Sequence, residues 1–225
     1  MCHPERSRSQ LHRERRSRRT CCLPILLLLL VPFCPGTLAQ VRQSTPLKTF
    51  HDPTYHISFD YPANWTFSHT DGEISTFHLD ARSASRKARV RAVLAFPQNP
   101  FPASTFSGAY VYFSVTPRTS AAACAAQASS TTVVRNAYQT RPGSPTQIAG
   151  IPFTHGHDEQ KDICITQRDE IYTTRHAGAC FRFDLAINNF CGGEVSGVKD
   201  ISAAELDQVR ARLRAVLATI RFDPR

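Results

Sequence analysis

Four cysteines, Cys124, Cys164, Cys180 and Cys191, constrain this chain more than any other feature, because a cross-link forces two distant segments side by side. They are the cysteines that follow residue 39; Cys2, Cys21, Cys22 and Cys34 precede it. Their spacings of 40, 16 and 11 residues contain no C-x-x-C pair, so neither a zinc ribbon nor a thiol oxidoreductase is indicated. An even number without metal-ligand spacing reads as two disulfides, provided that the chain reaches an oxidising compartment.

The first 39 residues supply that condition. Arg6, Arg8, Arg13, Arg15, Arg16, Arg18 and Arg19 form a basic head, residues 23–33 an apolar run, and Pro35-Gly36-Thr37-Leu38-Ala39 a helix-breaking exit that ends in a small residue. This order predicts a secretory signal peptide over residues 1–39, cleaved after Ala39. The apolar run is about half of the roughly 20 residues that span a bilayer, so no permanent membrane span is expected after cleavage. Ser17-Arg18-Arg19 also fits a twin-arginine pattern, but the leucine-saturated core suits the general secretory route better. The expected location is the periplasm or the cell exterior.

Removing the leader also changes the charge. Its seven Arg and two Glu, taken from the chain's 27 basic and 18 acidic side chains, leave 20 and 16, a net of +4. That balance is ordinary for a soluble domain, and with export it argues against a nucleic-acid partner. The remainder is long enough for one domain with a sizeable core.

That domain is expected over 54–225, after a flexible lead-in at 40–53. Tyr55, Ile57, Phe59 and Tyr61 alternate with His56, Ser58 and Asp60, the period of a half-buried strand, and Pro62 ends it. Trp65 and Phe67 follow a short turn. Phe77 and Leu79 suggest another strand, and Val90, Ala92, Leu94 and Phe96 a further one. Residues 97–107 form a Pro- and Phe-rich loop. Residues 109–115 are apolar on both faces, as in a central strand covered on two sides. Residues 119–128 read as a short Ala-rich helix carrying Cys124, 140–147 as a Pro/Gly/Ser loop, and 148–157 as a strand.

Residues 162–176 and 179–190 are the arms of a predicted hairpin that turns at Ala177-Gly178. With His176 opposite Ala179, paired positions sum to 355, and so do Cys164 and Cys191. These two cysteines therefore face each other within disulfide reach. Cys180 has the other parity and shares a polar-looking face with Arg182 and Asp184, whereas Phe181, Phe183, Leu185 and Ile187 line the opposite one. By elimination Cys180 pairs with Cys124 and staples the Ala-rich helix to the sheet, holding a helix too short to be stable alone.

The last element is a helix. Ser202-Ala203-Ala204-Glu205 is a capping box, and Leu206, Val209, Leu213, Val216, Leu217 and Ile220 recur on one face.

The strand Tyr55-His56-Ile57-Ser58-Phe59-Asp60-Tyr61-Pro62 followed by Trp65 resembles the opening strand of PsbP-type domains. The helix end Val216-Leu217-Ala218-Thr219-Ile220-Arg221-Phe222 is similar to their closing helix and strand. The resemblance implies an α/β fold with an antiparallel sheet and helices on both faces, an α/β/α sandwich. It also implies a binding or assembly role, since the family has no common catalytic residue set to carry over.

Several clusters could carry chemistry. His155 and His157, two apart on a strand, share a face and could clamp a divalent metal, completed by His176 or a carboxylate. Arg82, Arg86, Lys87, Arg89 and Arg91 could grip a phosphate, an anionic headgroup or an acidic glycan; of these, Arg86, Lys87, Arg89 and Arg91 are the anion-binding candidates. The alternative to each is a solvated strand end or loop. Phe101 and Phe106 either form an exposed patch or tuck back over the sheet. Asp158, Glu159, Asp162, Asp169 and Glu170 supply carboxylates, yet nothing singles out an acid–base pair, and no serine-nucleophile, P-loop or dinucleotide motif is present.

The sequence therefore predicts an exported, non-enzymatic binding or assembly module with no cofactor and an envelope or extracellular protein partner. The alternative is a metal-dependent hydrolase built on His155 and His157.

Overall fold

Turn chemistry decides how this chain is laid out. A computed structural model describes residues 45–74, 87–134, 137–162, 164–192 and 197–223. The leader, Phe77, Leu79, Arg82 and Arg86 lie outside these residues. Ala177 and Gly178 both adopt left-handed backbone (φ 48° and 82°), as do Ala149 and Gly150 (φ 50° and 77°). Two such residues in succession make the tight turn whose twist matches that of paired strands. Each turn therefore folds its flanks into a hairpin.

The described elements run β1 (Leu47–Asp52), β2 (Ile57–Pro62), β3 (Thr66–Ser68), β4 (Arg89–Ala95), β5 (Phe106–Thr116), α1 (Ala121–Ala126), β6 (Ser130–Val134), β7 (Ala137–Arg141), β8 (Ser144–Ile148), β9 (Ile151–Asp162), β10 (Ile165–His176), β11 (Ala179–Phe190), α2 (Ala203–Leu217) and β12 (Arg221–Phe222). One sheet has the order β1-β2-β12. The larger one runs β3-β4-β5-β11-β10-β9-β6-β7, with β8 also paired to β9. Among the described strands pairing is antiparallel except for one parallel contact, Thr131 with Asp158; an isolated bridge between Ser104 and Lys199 is also parallel.

The long hairpin keeps its predicted register from His176–Ala179 to Ile165–Phe190 without a bulge. The disulfides are Cys164–Cys191, one step beyond the last paired residues, and Cys124–Cys180. These are the pairs given by the hairpin arithmetic.

Both sheets and α2 share one core. Phe113 stacks on Phe183 (ring centroids 4.8 Å apart) and Phe50 on Phe59 (4.8 Å), and edge contacts of Phe59 with Phe113 and Phe183 join the sheets. Helix α2 buries Leu206, Val209, Leu213, Val216 and Leu217 against this core. Its capping box is complete: Ser202 Oγ accepts from the Glu205 N–H, and Glu205 accepts from the Ser202 N–H at 2.8 Å.

Several expectations are corrected. The lead-in is not flexible throughout, because residues 47–52 form β1, where Phe50 is buried and Asp52 accepts from the Thr54 and Tyr55 N–H groups. Residues 144–148 are strand rather than loop, and the expected strand 148–157 is broken by the Ala149-Gly150 turn. Pro145 is tolerated because β8 pairs on one side only. Phe106 begins β5 rather than lying in the loop; it is buried, with Phe101 packed edge-on against it at 6.2 Å, so of the two readings given for these rings the one in which they tuck back over the sheet holds. Helix α1 is six residues, shorter than expected, and Ser120 caps it by accepting from the Ala123 N–H. The fold is thus an antiparallel sheet structure with little helix among the described residues. A layered α/β/α sandwich is a finer description than α1 and α2 carry.

Candidate functional site

The predicted metal pair sits on β9, where register sets His155 beside Tyr172 and His157 beside Glu170 on β10. The His155 ring stacks on Tyr172, centroids 4.4 Å apart and 16° from parallel. Glu170 is the hub. Its Oε2 accepts from the Tyr172 hydroxyl at 2.9 Å and from Arg214 Nη2 at 2.7 Å, and its Oε1 accepts from Arg214 Nη2 at 2.8 Å. Arg210 Nε lies 3.4 Å from Oε1 and His155 Nε2 3.9 Å from Oε2. Both arginines come from the flank of α2, one turn apart, so the carboxylate ties that helix to the sheet.

Burial pushes the His155 imidazole below its ordinary range, opposed by Glu170 and reinforced by Arg214 and His157. Burial first, then the Glu170 charge, push the Tyr172 phenol up to about 12. A carboxylate already holding a hydroxyl and two guanidinium groups has little left for a metal, and His157 is exposed. Among the described residues no three His, Cys, Asp or Glu side chains converge as a metal site. Register does bring His155 and His157 onto one face; the third ligand is what the geometry withholds. His176 lies elsewhere, stacked on Phe222 at 4.1 Å.

The other face of the sheet carries charge that sequence reasoning did not single out as a site. Arg182 is 2% exposed and Asp184 0%. Arg182 Nε donates to both Asp184 oxygens at 2.9 Å, Nη2 donates to Oδ1 at 2.5 Å, and Nη1 donates to the Gln127 carbonyl at 3.3 Å. Asp169, one strand over, is also buried. Burial drives its carboxyl well above the usual carboxylate range; the charge and hydrogen bond of Asp184 add to that, and Arg182 opposes it. Asp169 and Asp184 with an arginine have the composition of an acid–base pair, but side chains this buried meet no substrate. Their alternation with Phe181 and Phe183 was the available signal.

The anion-binding candidates separate in space. Arg91 Nε donates to Asp52 Oδ2 at 2.6 Å, and its guanidinium lies 5.6 Å from the Tyr55 ring, so its charge is committed. Burial pushes the Asp52 carboxyl up, but the Arg91 hydrogen bond and charge, with the Thr54 and Tyr55 N–H groups, together hold it below the usual range. Arg89 Nη1 donates to the Ala88 carbonyl at 3.0 Å. Lys87 instead lines a cleft of about 610 Å³ together with Arg118, Thr116, Thr119, Ser120, Ala126 and Gln127.

Arg118 and Gln127 were not predicted, because nothing local marks them. Arg118 follows Pro117 at the end of β5 with left-handed backbone (φ 51°), where the Thr119 N–H donates to the Gly178 carbonyl at 3.0 Å. A non-glycine residue held this way costs on the order of 1–3 kcal/mol and persists because its surroundings impose it.

No family model and no curated protein matches the chain. Among solved structures it is similar to the cyanobacterial PsbP (CyanoP) of Synechocystis sp. PCC 6803, with 12% identity over 84% of this chain and 98% of that one and a TM-score of 0.42. It is also similar to LpqN of Mycobacterium tuberculosis, described as involved in cell envelope biogenesis, with 11% identity over 80% and 91% of the two chains and a TM-score of 0.39. A protein from Bacteroides thetaiotaomicron VPI-5482 gives 13% identity over 79% of this chain and a TM-score of 0.41, and the chain spans about half of its length (48%). A PsbP is thus among the structures that the chain is similar to; likeness of this size carries no function across.

Proposed function

We propose that the chain is an exported, non-enzymatic binding or assembly module acting in the periplasm or outside the cell. One observation carries the reading. The acid–base candidates whose contacts are described above, His155, Glu170, Asp169 and Asp184, are engaged inside the fold, whereas Arg118 lines an open cleft beside Lys87. A general base or nucleophile must reach its substrate, and the buried Asp169 and Asp184 do not. The two disulfides and the leader pattern support an oxidising destination. The finer fold reading, an α/β/α sandwich, treats α1 as a thin second helical layer held by Cys124–Cys180.

Two measurements test the proposal. Mass spectrometry of the exported protein is expected to place its first residue at or near Gln40; a product that retains the leader removes the export half. An assay of the purified protein on ester, phosphate and glycoside substrates is expected to show no turnover. Turnover with stoichiometric metal, both lost in His157→Ala, would establish the metal-dependent hydrolase instead.

A further inference from the structure

We propose that the cleft framed by the β1–β2 turn, the end of β5 and the β10–β11 turn binds a phosphate group. This rests on the binding reading above and names the ligand class.

Unspent donors come first. Thr54, Tyr55, Arg118 and His176 line this cleft of about 270 Å³, which shares only Pro117 and Arg118 with the cleft that Lys87 lines. Thr54, Arg118 and His176 are exposed, and Tyr55 is half-buried with its hydroxyl still open to solvent. Among the described residues, the Arg118 guanidinium, the His176 ring nitrogens and the Thr54 and Tyr55 hydroxyls have no hydrogen-bond or ion-pair partner. Nor does any described Asp or Glu line the cleft. The acids on the adjoining strands are already paired. Asp52 is 1% exposed and takes Arg91, and Asp223 takes the Ser58 hydroxyl and His51, each at 3.0 Å.

The second observation is that the supports of these side chains are fixed. Asp52 accepts from the Thr54 and Tyr55 N–H groups at 2.9 and 3.2 Å, and Arg91 lies over the Tyr55 ring. The Thr119 N–H donates to the Gly178 carbonyl, and Arg175 Nε donates to the Thr119 carbonyl at 2.8 Å. These bonds clamp the segment that carries Arg118 onto the β10–β11 turn. The His176 ring is seated on Phe222. Donors on rigid mounts lose little freedom when a ligand arrives.

Their number and origin select the anion. Arg118 offers a planar fork, Thr54 and Tyr55 one O–H each, and His176 at least one N–H in either protonation state. Three separate segments supply them, so a ligand is met from several sides. The oxygens of a phosphate point apart and can use all four groups. A carboxylate has two oxygens in one plane, which the guanidinium fork satisfies by itself. Size agrees, because the cleft lies just below the roughly 300–1,000 Å³ of drug-sized sites and suits a small anionic group.

The test is calorimetric titration of the exported protein, disulfides intact, with inorganic phosphate, glycerol 3-phosphate and acetate. Co-sedimentation with phosphatidylcholine vesicles carrying phosphatidic acid completes it. Expected is saturable binding of at least one phosphate species, with acetate at least about tenfold weaker. The tightest phosphate arm names the source: free ion, small ester or lipid headgroup. Arg118→Asn, which tolerates left-handed backbone, and Tyr55→Phe, which keeps the ring, should each weaken binding at least about fivefold with the melting temperature unchanged. Ala123→Leu, which fills the neighbouring cleft alone, should leave affinity as it is. Acetate bound as tightly as phosphate, no binding of any phosphate species, unchanged affinity in Arg118→Asn, or a loss in Ala123→Leu as large as in Arg118→Asn would each overturn the inference and leave the binding module standing. Turnover of glycerol 3-phosphate to free phosphate would instead overturn the non-enzymatic reading and leave the phosphate site.

Discussion

Phe181, Phe183, Leu185 and Ile187 leave β11 toward α2 and the small sheet, while Cys180, Arg182, Asp184 and Asn188 leave the same strand on the other side. Both sets are buried. The first set is held by apolar area removed from water, which tolerates gradual change because each contact is non-directional. The second works only as a completed set. Asp184 takes three hydrogen bonds from Arg182, burial and Asp184 push the Asp169 carboxyl well above the usual carboxylate range, and Cys180 is covalently tied to α1. Equal burial along one strand therefore does not mean equal sensitivity.

Removing one partner of the charged set is the sharpest way to break this comparison. Arg182→Ala is expected to cost about 3–5 kcal/mol, because Asp184 is left buried and unpaired. Arg182→Met with Asp184→Leu should recover much of that loss. Urea unfolding of the three proteins decides the matter, and a single-variant cost below about 1 kcal/mol would mean that water reaches the pair.

On the apolar side Leu213→Ala empties a fully buried position of α2, at a cost of about 2–5 kcal/mol. The distinguishing measurement is rescue: Leu213→Met should restore most of the stability, as a volume-conserving change does in an apolar core. A conservative swap that fails as badly as alanine would place Leu213 in a directional contact that the structure does not contain.

Asp169 gives a smaller effect of opposite sign. Its raised pKa means that the stability from keeping it protonated is fully present below its unfolded value of 3.8 and is lost as pH rises through the folded value. The groups facing it, Asp184, Arg182 and Asp158, remain when it is changed. Asp169→Asn, which needs no proton to stay neutral, should therefore gain stability over the parent as pH rises from 4 to 8. Melting temperatures across that range test this, and parallel curves for the two proteins would show Asp169 ionised at no cost.

Ser202→Ala should have the least effect, about 1 kcal/mol, since it removes one cap of α2 and leaves its packed face intact. Chemical denaturation at neutral pH measures it; a loss as large as that of Leu213→Ala would show that α2 depends on its cap more than on its packing.

Much of this was legible residue by residue. Ala177-Gly178 set the register of the long hairpin, the register faced Cys164 with Cys191, and the parity of Cys180 separated the polar face from the aromatic one. The period of Leu206, Val209, Leu213 and Val216 located α2 and its buried side. These features depend on neighbours in the chain or on one turn, so local periodicity encodes them. Strand β1 was missed because only Phe50 and Asp52 of its six residues are buried, and pairing with β2 rather than alternation makes it a strand. Strand β8 was missed because its Pro and polar residues read as loop until β9 pairs with it.

The sequence by itself determined the Ala177-Gly178 turn, the hairpin register and hence which cysteines could meet, because each follows from spacing along the chain. Only the tertiary structure decided that Glu170 would be taken up by Arg210 and Arg214 from α2, and that Lys87 would share a cleft with Arg118 and Gln127. These partners lie between 9 and 44 residues apart on different elements. Whether a charge is spent or available depends on which element packs beside it, and no local pattern records that.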